Sequence, residues 1–102
     1  VHDLAALTGL EEGRYTVTNP AIDLGATVQF QAETYEYLWY WQAFGGFTQA
    51  PFFGRNYNVG LEPCTSIPNA GLTDAIENLT AESLGPGDRQ QSSVTLSTHP
   101  VE

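Results

Sequence analysis

The chain has 102 residues, 41% of them hydrophobic, and twelve acidic side chains against three arginines and no lysine, a formal charge of −9. That is length for one core and not for two, and a field of that sign repels nucleic-acid phosphates and anionic membrane surfaces. A single Cys64 excludes an intramolecular disulfide framework, and no apolar run reaches the roughly 18–20 residues needed to cross a bilayer.

Val1-His2-Asp3-Leu4 lacks the basic-then-apolar order of a secretion signal, so cytoplasm is the default compartment. A chain starting on Val is expected to be processed or truncated. Most of the acids read as solubilising charge.

In chain order, residues 1–13 form a leading segment with Leu4, Leu7 and Leu10 at helical spacing, and Asp3 is a cap for at most a short turn. Tyr15-Thr16-Val17-Thr18 alternates as a strand and Asn19-Pro20 breaks it. Ala26 to Ala32 is the clearest strand, with Ala26, Val28, Phe30 and Ala32 on one face and Thr27, Gln29 and Gln31 on the other. Tyr35 to Trp41 is a third strand, with Tyr35, Tyr37, Trp39 and Trp41 opposite Leu38 and Tyr40. Gly45-Gly46 opens a loop that contains Pro51 and runs to Arg55.

Tyr57 to Glu62 reads as a fourth strand stopped by Pro63. Residues 68–88 are loop-rich, and Asp74 with Glu77 resembles a capping box for one helical turn. Gln91 to Ser97 alternates as the last strand, ahead of a His99-Pro100-Val101-Glu102 tail. Five short strands with regular turns predict one all-β domain over residues 1–102, an antiparallel β-sandwich with at most one or two short helical turns.

Chemistry concentrates in residues 51–68. Period two aims Tyr57, Val59 and Leu61 at the core and Asn58, Gly60 and Glu62 away from it. A glycine inside a strand weakens it unless something approaches the backbone there, and Gly60 leaves a gap between an amide and a carboxylate. A small polyhydroxylated ligand lying across the sheet fits that gap, with Glu62 as base. The competing reading is an exposed glutamate on an edge strand beside a bulge glycine.

Trp41, next to the Gly-rich loop, is the better stacking platform for a sugar, while an aromatic stripe is otherwise ordinary core. Arg55 either forks onto ligand oxygens or pairs with Glu62 to hold the loop. Cys64 reads as a small buried filler. His2 and His99 sit in the two tails as bystanders, with no metal-ligand spacing between them.

Leu38-Trp39-Tyr40-Trp41, Gly45-Gly46, Pro51, Phe53-Gly54-Arg55, Gly60-Leu61-Glu62-Pro63, Thr65, Pro68 and Leu84-Gly85-Pro86-Gly87 occur in this order. Together they resemble the C-terminal part of aldose 1-epimerase-like proteins of the galactose mutarotase superfamily, over residues 13–97. The resemblance implies part of a large β-sandwich that binds a small neutral sugar and interconverts its anomers without a cofactor. It implies Glu62 as the base that takes the anomeric proton; Arg55, Trp41 and Asn58 are expected from their own positions to shape the pocket.

The family's members are longer, and their catalytic histidines come from segments N-terminal to this match. Neither His2 nor His99 inherits the role of acid. The alternative is therefore a non-catalytic carbohydrate-binding or structural sandwich. A partial sandwich exposes strand edges, which favours a homodimer or pairing with a missing N-terminal segment.

Overall fold

The chain forms six strands: β1 (His2–Leu7), β2 (Arg14–Asn19), β3 (Leu24–Phe30), β4 (Tyr37–Phe44), β5 (Tyr57–Cys64) and β6 (Val94–His99). This computed structural model describes residues 2–101; Val1 and Glu102, the outer ends of the leading segment and of the tail, lie outside the described residues. The strands form two three-stranded sheets, β1-β4-β5 and β2-β3-β6, in which every pairing is antiparallel. With one short helix, α1 (Leu72–Glu77), the architecture is all-β and sandwich-like.

The β2–β3 turn shows why the local sequence folds this way. Asn19 Oδ1 accepts from the Ala21 N–H at 3.1 Å, Pro20 starts a 3-10 turn, and Asp23 closes it in the left-handed region at φ 51°. Asn and Asp tolerate these roles because their short side chains bond the local backbone.

Both sheets contribute to one core. Val28 and Phe30 of β3 pack with Leu38 of β4, and Leu10, Tyr15, Tyr35 and Leu61 close around them. Leu38 is only 5% exposed. The Tyr15 hydroxyl donates to the Leu61 carbonyl at 3.1 Å, tying β2 to β5. On the other face of β3, Thr27 is buried between the Thr16 hydroxyl and His99 Nε2, each 2.9 Å away.

The sheets meet at this corner and diverge beyond it. The Cα radius of gyration is 16.1 Å, against about 13 Å for a compact chain of this length. The surface is 7260 Å², where roughly 5,700 Å² suits a compact monomer of 11.1 kDa.

Several expectations are corrected. The leading segment is a strand rather than a helical turn, because pairing with β4 outweighs a three-leucine spacing. Pro63 does not stop β5, which continues to Cys64; the strand is an edge, where a missing N–H is tolerated. The final strand is shifted to Val94–His99, so His99 is a strand residue and not part of a tail.

Asp74 is no cap. It lies inside α1, and its carboxylate accepts from the Ala70 N–H at 2.9 Å. Of Tyr57, Val59 and Leu61, only Leu61 packs on the core, and Tyr57 is 79% exposed. Strand parity fixes the side of a sheet, but these two residues lie beyond the corner where the sheets touch.

Candidate functional site

β5 presents Asn58, Gly60 and Glu62 on one face of its sheet. The register sets them directly opposite Ala43, Trp41 and Trp39 of β4. On the other flank, β1 sets His2 opposite Ala43 and Leu4 opposite Trp41. Directly opposed residues share a face, so Glu62, Trp41 and His2 all belong to one surface.

Gly60 is the low point of this surface. A Cβ there would stand 3.0 Å from Glu62 Oε1 and 3.1 Å from Trp41 Cε3. The carboxylate is therefore folded back beside the indole, over the space the glycine leaves. Glu62 remains exposed and its strand is extended.

The loop after β4 builds the far wall. Gly45 donates to the Asn56 carbonyl at 3.0 Å and Gly54 to the Phe47 carbonyl at 2.7 Å, which folds the loop back on itself around a cis Ala50–Pro51 bond. Phe47 and Phe52 are thereby carried onto the sheet. Phe52 lies 6.0 Å from Trp41 and Phe47 lies 4.6 Å from His2, between ring centroids. The His2 and Trp41 rings meet edge-on at 6.4 Å. A hollow of about 250 Å³ opens here, lined by His2, Gly46, Phe47, Thr48 and Gln49.

The two tryptophans differ in what they have left to offer. Trp39 spends its indole N–H on the Ser66 carbonyl at 2.6 Å, which anchors the loop after β5. Trp41 makes ring contacts only, leaving its N–H unbonded among the described residues. Asn58 Oδ1 accepts from Asn56 Nδ2 at 3.1 Å, and the Asn58 amide N–H groups have no partner among the described residues.

Arg55 stands at the exposed end of the loop. Its backbone N–H bonds the Phe52 carbonyl, and its guanidinium pairs with no carboxylate among the described residues. The ion pair with Glu62 weighed from the sequence does not form. Cys64, two residues beyond Glu62, is half-buried, and burial first and the Glu62 charge second push its thiol up from the ordinary range.

The structure thus brings Glu62, Trp41 and Asn58 to one face and leaves Arg55 at its margin. His2 is a strand residue and not part of a tail, on the side of β1 that carries Leu4 and Ala6. His99 belongs to the other sheet. Its Nδ1 donates to the Pro100 carbonyl at 2.8 Å, and its Nε2 shares a hydrogen bond with the Thr27 hydroxyl.

Among the described residues, no three His, Cys, Asp or Glu side chains converge as metal ligands, and no helix is long and apolar enough to cross a membrane. Comparison with protein-family models, with curated proteins and with solved structures finds no match for this chain.

Proposed function

We propose that this chain is a carbohydrate-active domain of the aldose 1-epimerase (mutarotase) type, part of a mutarotase-like sandwich, acting on a small neutral sugar. One observation carries the reading: Glu62 Oε1 lies beside Trp41 over the space at Gly60, a carboxylate next to a flat ring on an open sheet face. A pyranose stacked on Trp41 would offer its hydroxyls to Glu62 and to the free Asn58 amide. Three arginines among twelve acids favour a neutral sugar over a sugar phosphate.

In this reading Glu62 takes the proton of the anomeric hydroxyl as the bond from C1 to the ring oxygen breaks. The ring oxygen must then receive a proton. His2 supports that step by its position: it flanks Trp41 on the side opposite Glu62. Strand spacing puts its Cα about 12 Å from that of Gly60, room for one sugar ring between imidazole and carboxylate. Rotation of the C1 aldehyde and reclosure return both protons and give the other anomer. No metal or redox group takes part in these transfers. The unpaired Cys64 suits a reducing, cytoplasmic setting.

A non-catalytic sugar-binding domain is the second reading, favoured by the place of His99. Its ring is committed to Thr27 and Pro100 in the other sheet, which leaves His2 as the one described imidazole on the face of Glu62. Polarimetry of a freshly dissolved pure anomer separates the two. Faster equilibration, lost in Glu62→Gln and weakened in His2→Gln, supports the enzyme. Tryptophan quenching by sugar without faster equilibration supports the binder, and indifference to every sugar removes both.

A further inference from the structure

We propose that two copies of this chain pair through β6, antiparallel and edge to edge, so that β2-β3-β6 becomes one half of a continuous six-stranded sheet. The four strands at sheet edges are β1, β5, β2 and β6. Three carry a device that discourages pairing: Asp3 in β1, Arg14 in β2, Glu62 and Pro63 in β5. Such charges and prolines are how natural edges avoid unwanted partners. β6, Val-Thr-Leu-Ser-Thr-His, has neither an acid nor an arginine nor a proline. Its one titratable residue, His99, is turned onto Thr27 of its own sheet.

The strand is also unusually bare. Every residue from Val94 to Thr98 is exposed, Leu96 by 67%. One side of its backbone bonds β3, and the other offers a row of N–H and C=O groups to solvent. The faces suit self-pairing. Thr95 and Ser97 on the outer side make a hydroxyl ladder across a two-fold axis, and Val94 and Leu96 on the inner side bring apolar surface together.

A second copy is the occupant that the areas favour. On the inner side of β6, Val94 is 55% and Leu96 67% exposed, apolar area that the same strand of a second copy covers residue for residue. The contact surface is uncharged while each copy carries −9, so repulsion acts at long range and salt screens it. Pairing at β6 is independent of any chemistry at Glu62, which lies in the other sheet.

Sedimentation equilibrium of the 102-residue chain at about 100 μM, above the micromolar weak end of specific interfaces, reads the outcome. The expected mass is twice that of one chain, with association tightening as salt is raised. Leu96→Asp should halve the mass and leave the far-ultraviolet circular dichroism unchanged, since the side chain is exposed. Leu79→Asp, at a residue 90% exposed and outside both sheets, should keep the dimer. In the dimer, amide exchange should slow at consecutive residues of β6; in a monomer only alternate amides are protected.

A chain that stays monomeric at high salt overturns the proposal. So does a dimer indifferent to Leu96→Asp, or a monomer whose β6 amides slow only when a synthetic Val-Thr repeat peptide is added, which would give the edge to a foreign strand.

Discussion

Glu62 and Gly60 are coupled through space: the glutamate's Oε1 occupies the position in front of the glycine, 3.0 Å from where a Cβ would be. Gly60→Ala tests this coupling. The backbone there needs no left-handed conformation, and alanine is worth roughly 0.5–1 kcal/mol over glycine inside a strand. Displacing the flexible carboxylate and nudging Trp41 offsets that gain. Stability should change by less than about 1 kcal/mol in urea unfolding, while tryptophan emission shifts as Trp41 moves. Unchanged emission would mean that the indole and the glycine are not in contact.

Glu62 also acts on Cys64. Burial and then the carboxylate charge raise the thiol's pKa, so less thiolate is present at neutral pH than for an ordinary cysteine. Glu62→Gln removes the second cause. Alkylation of Cys64 at fixed pH should therefore speed up in the variant, with its pH profile moved to lower pH. An identical profile would show that the two side chains do not sense each other.

Tyr15 holds the two sheets together by its bond to the Leu61 carbonyl. Tyr15→Phe should cost about 1 kcal/mol at neutral pH. Burial raises the phenol's pKa above the ordinary value near 10. Its contribution is therefore complete below that value and is lost as pH rises through the higher folded-state value. The native chain should lose stability in that alkaline range, and the phenylalanine variant should lack this component. Parallel stability curves above pH 10 would contradict the inter-sheet bond.

Gly13 and Gly25 make a matched pair of tests. A Cβ on Gly13 would run into the Phe30 carbonyl oxygen, which is backbone and cannot move aside without breaking the Phe30–Gly13 bond. Gly13→Ala should cost at least about 3 kcal/mol. A Cβ on Gly25 meets the His99 ring, a side chain held by two hydrogen bonds. Gly25→Ala should displace that ring and cost about 1–2 kcal/mol, visible as shifted His99 ring resonances. Equal losses would show that the imidazole is as immovable as backbone.

The strands β2 to β5 were legible because alternation in Thr16 to Phe30 and in Tyr37 to Leu61 coincides with turn residues. The outward aim of Glu62 followed from the same parity. What escaped was anything fixed by distant pairing. His2 to Leu7 is extended only because β4 lies alongside, and His99 belongs to β6 because Thr27, 72 residues earlier, accepts its ring as a neighbour. Tyr57 and Val59 face inward by alternation and are exposed nonetheless, because alternation reports direction and not coverage. Where the opposing sheet has already diverged, an inward-facing residue still meets water.

The interleaving of the sheets also sets an order of events. The β2–β3 hairpin is local and forms early, whereas β6 must close a loop of more than half the chain before it can dock on β3. Until those last residues arrive, the hairpin waits with its second flank unclaimed. While residues 31–93 are being made, two of that sheet's three strands stand without the third, and whatever shields the open flank in the interval governs how much of the protein reaches its final form.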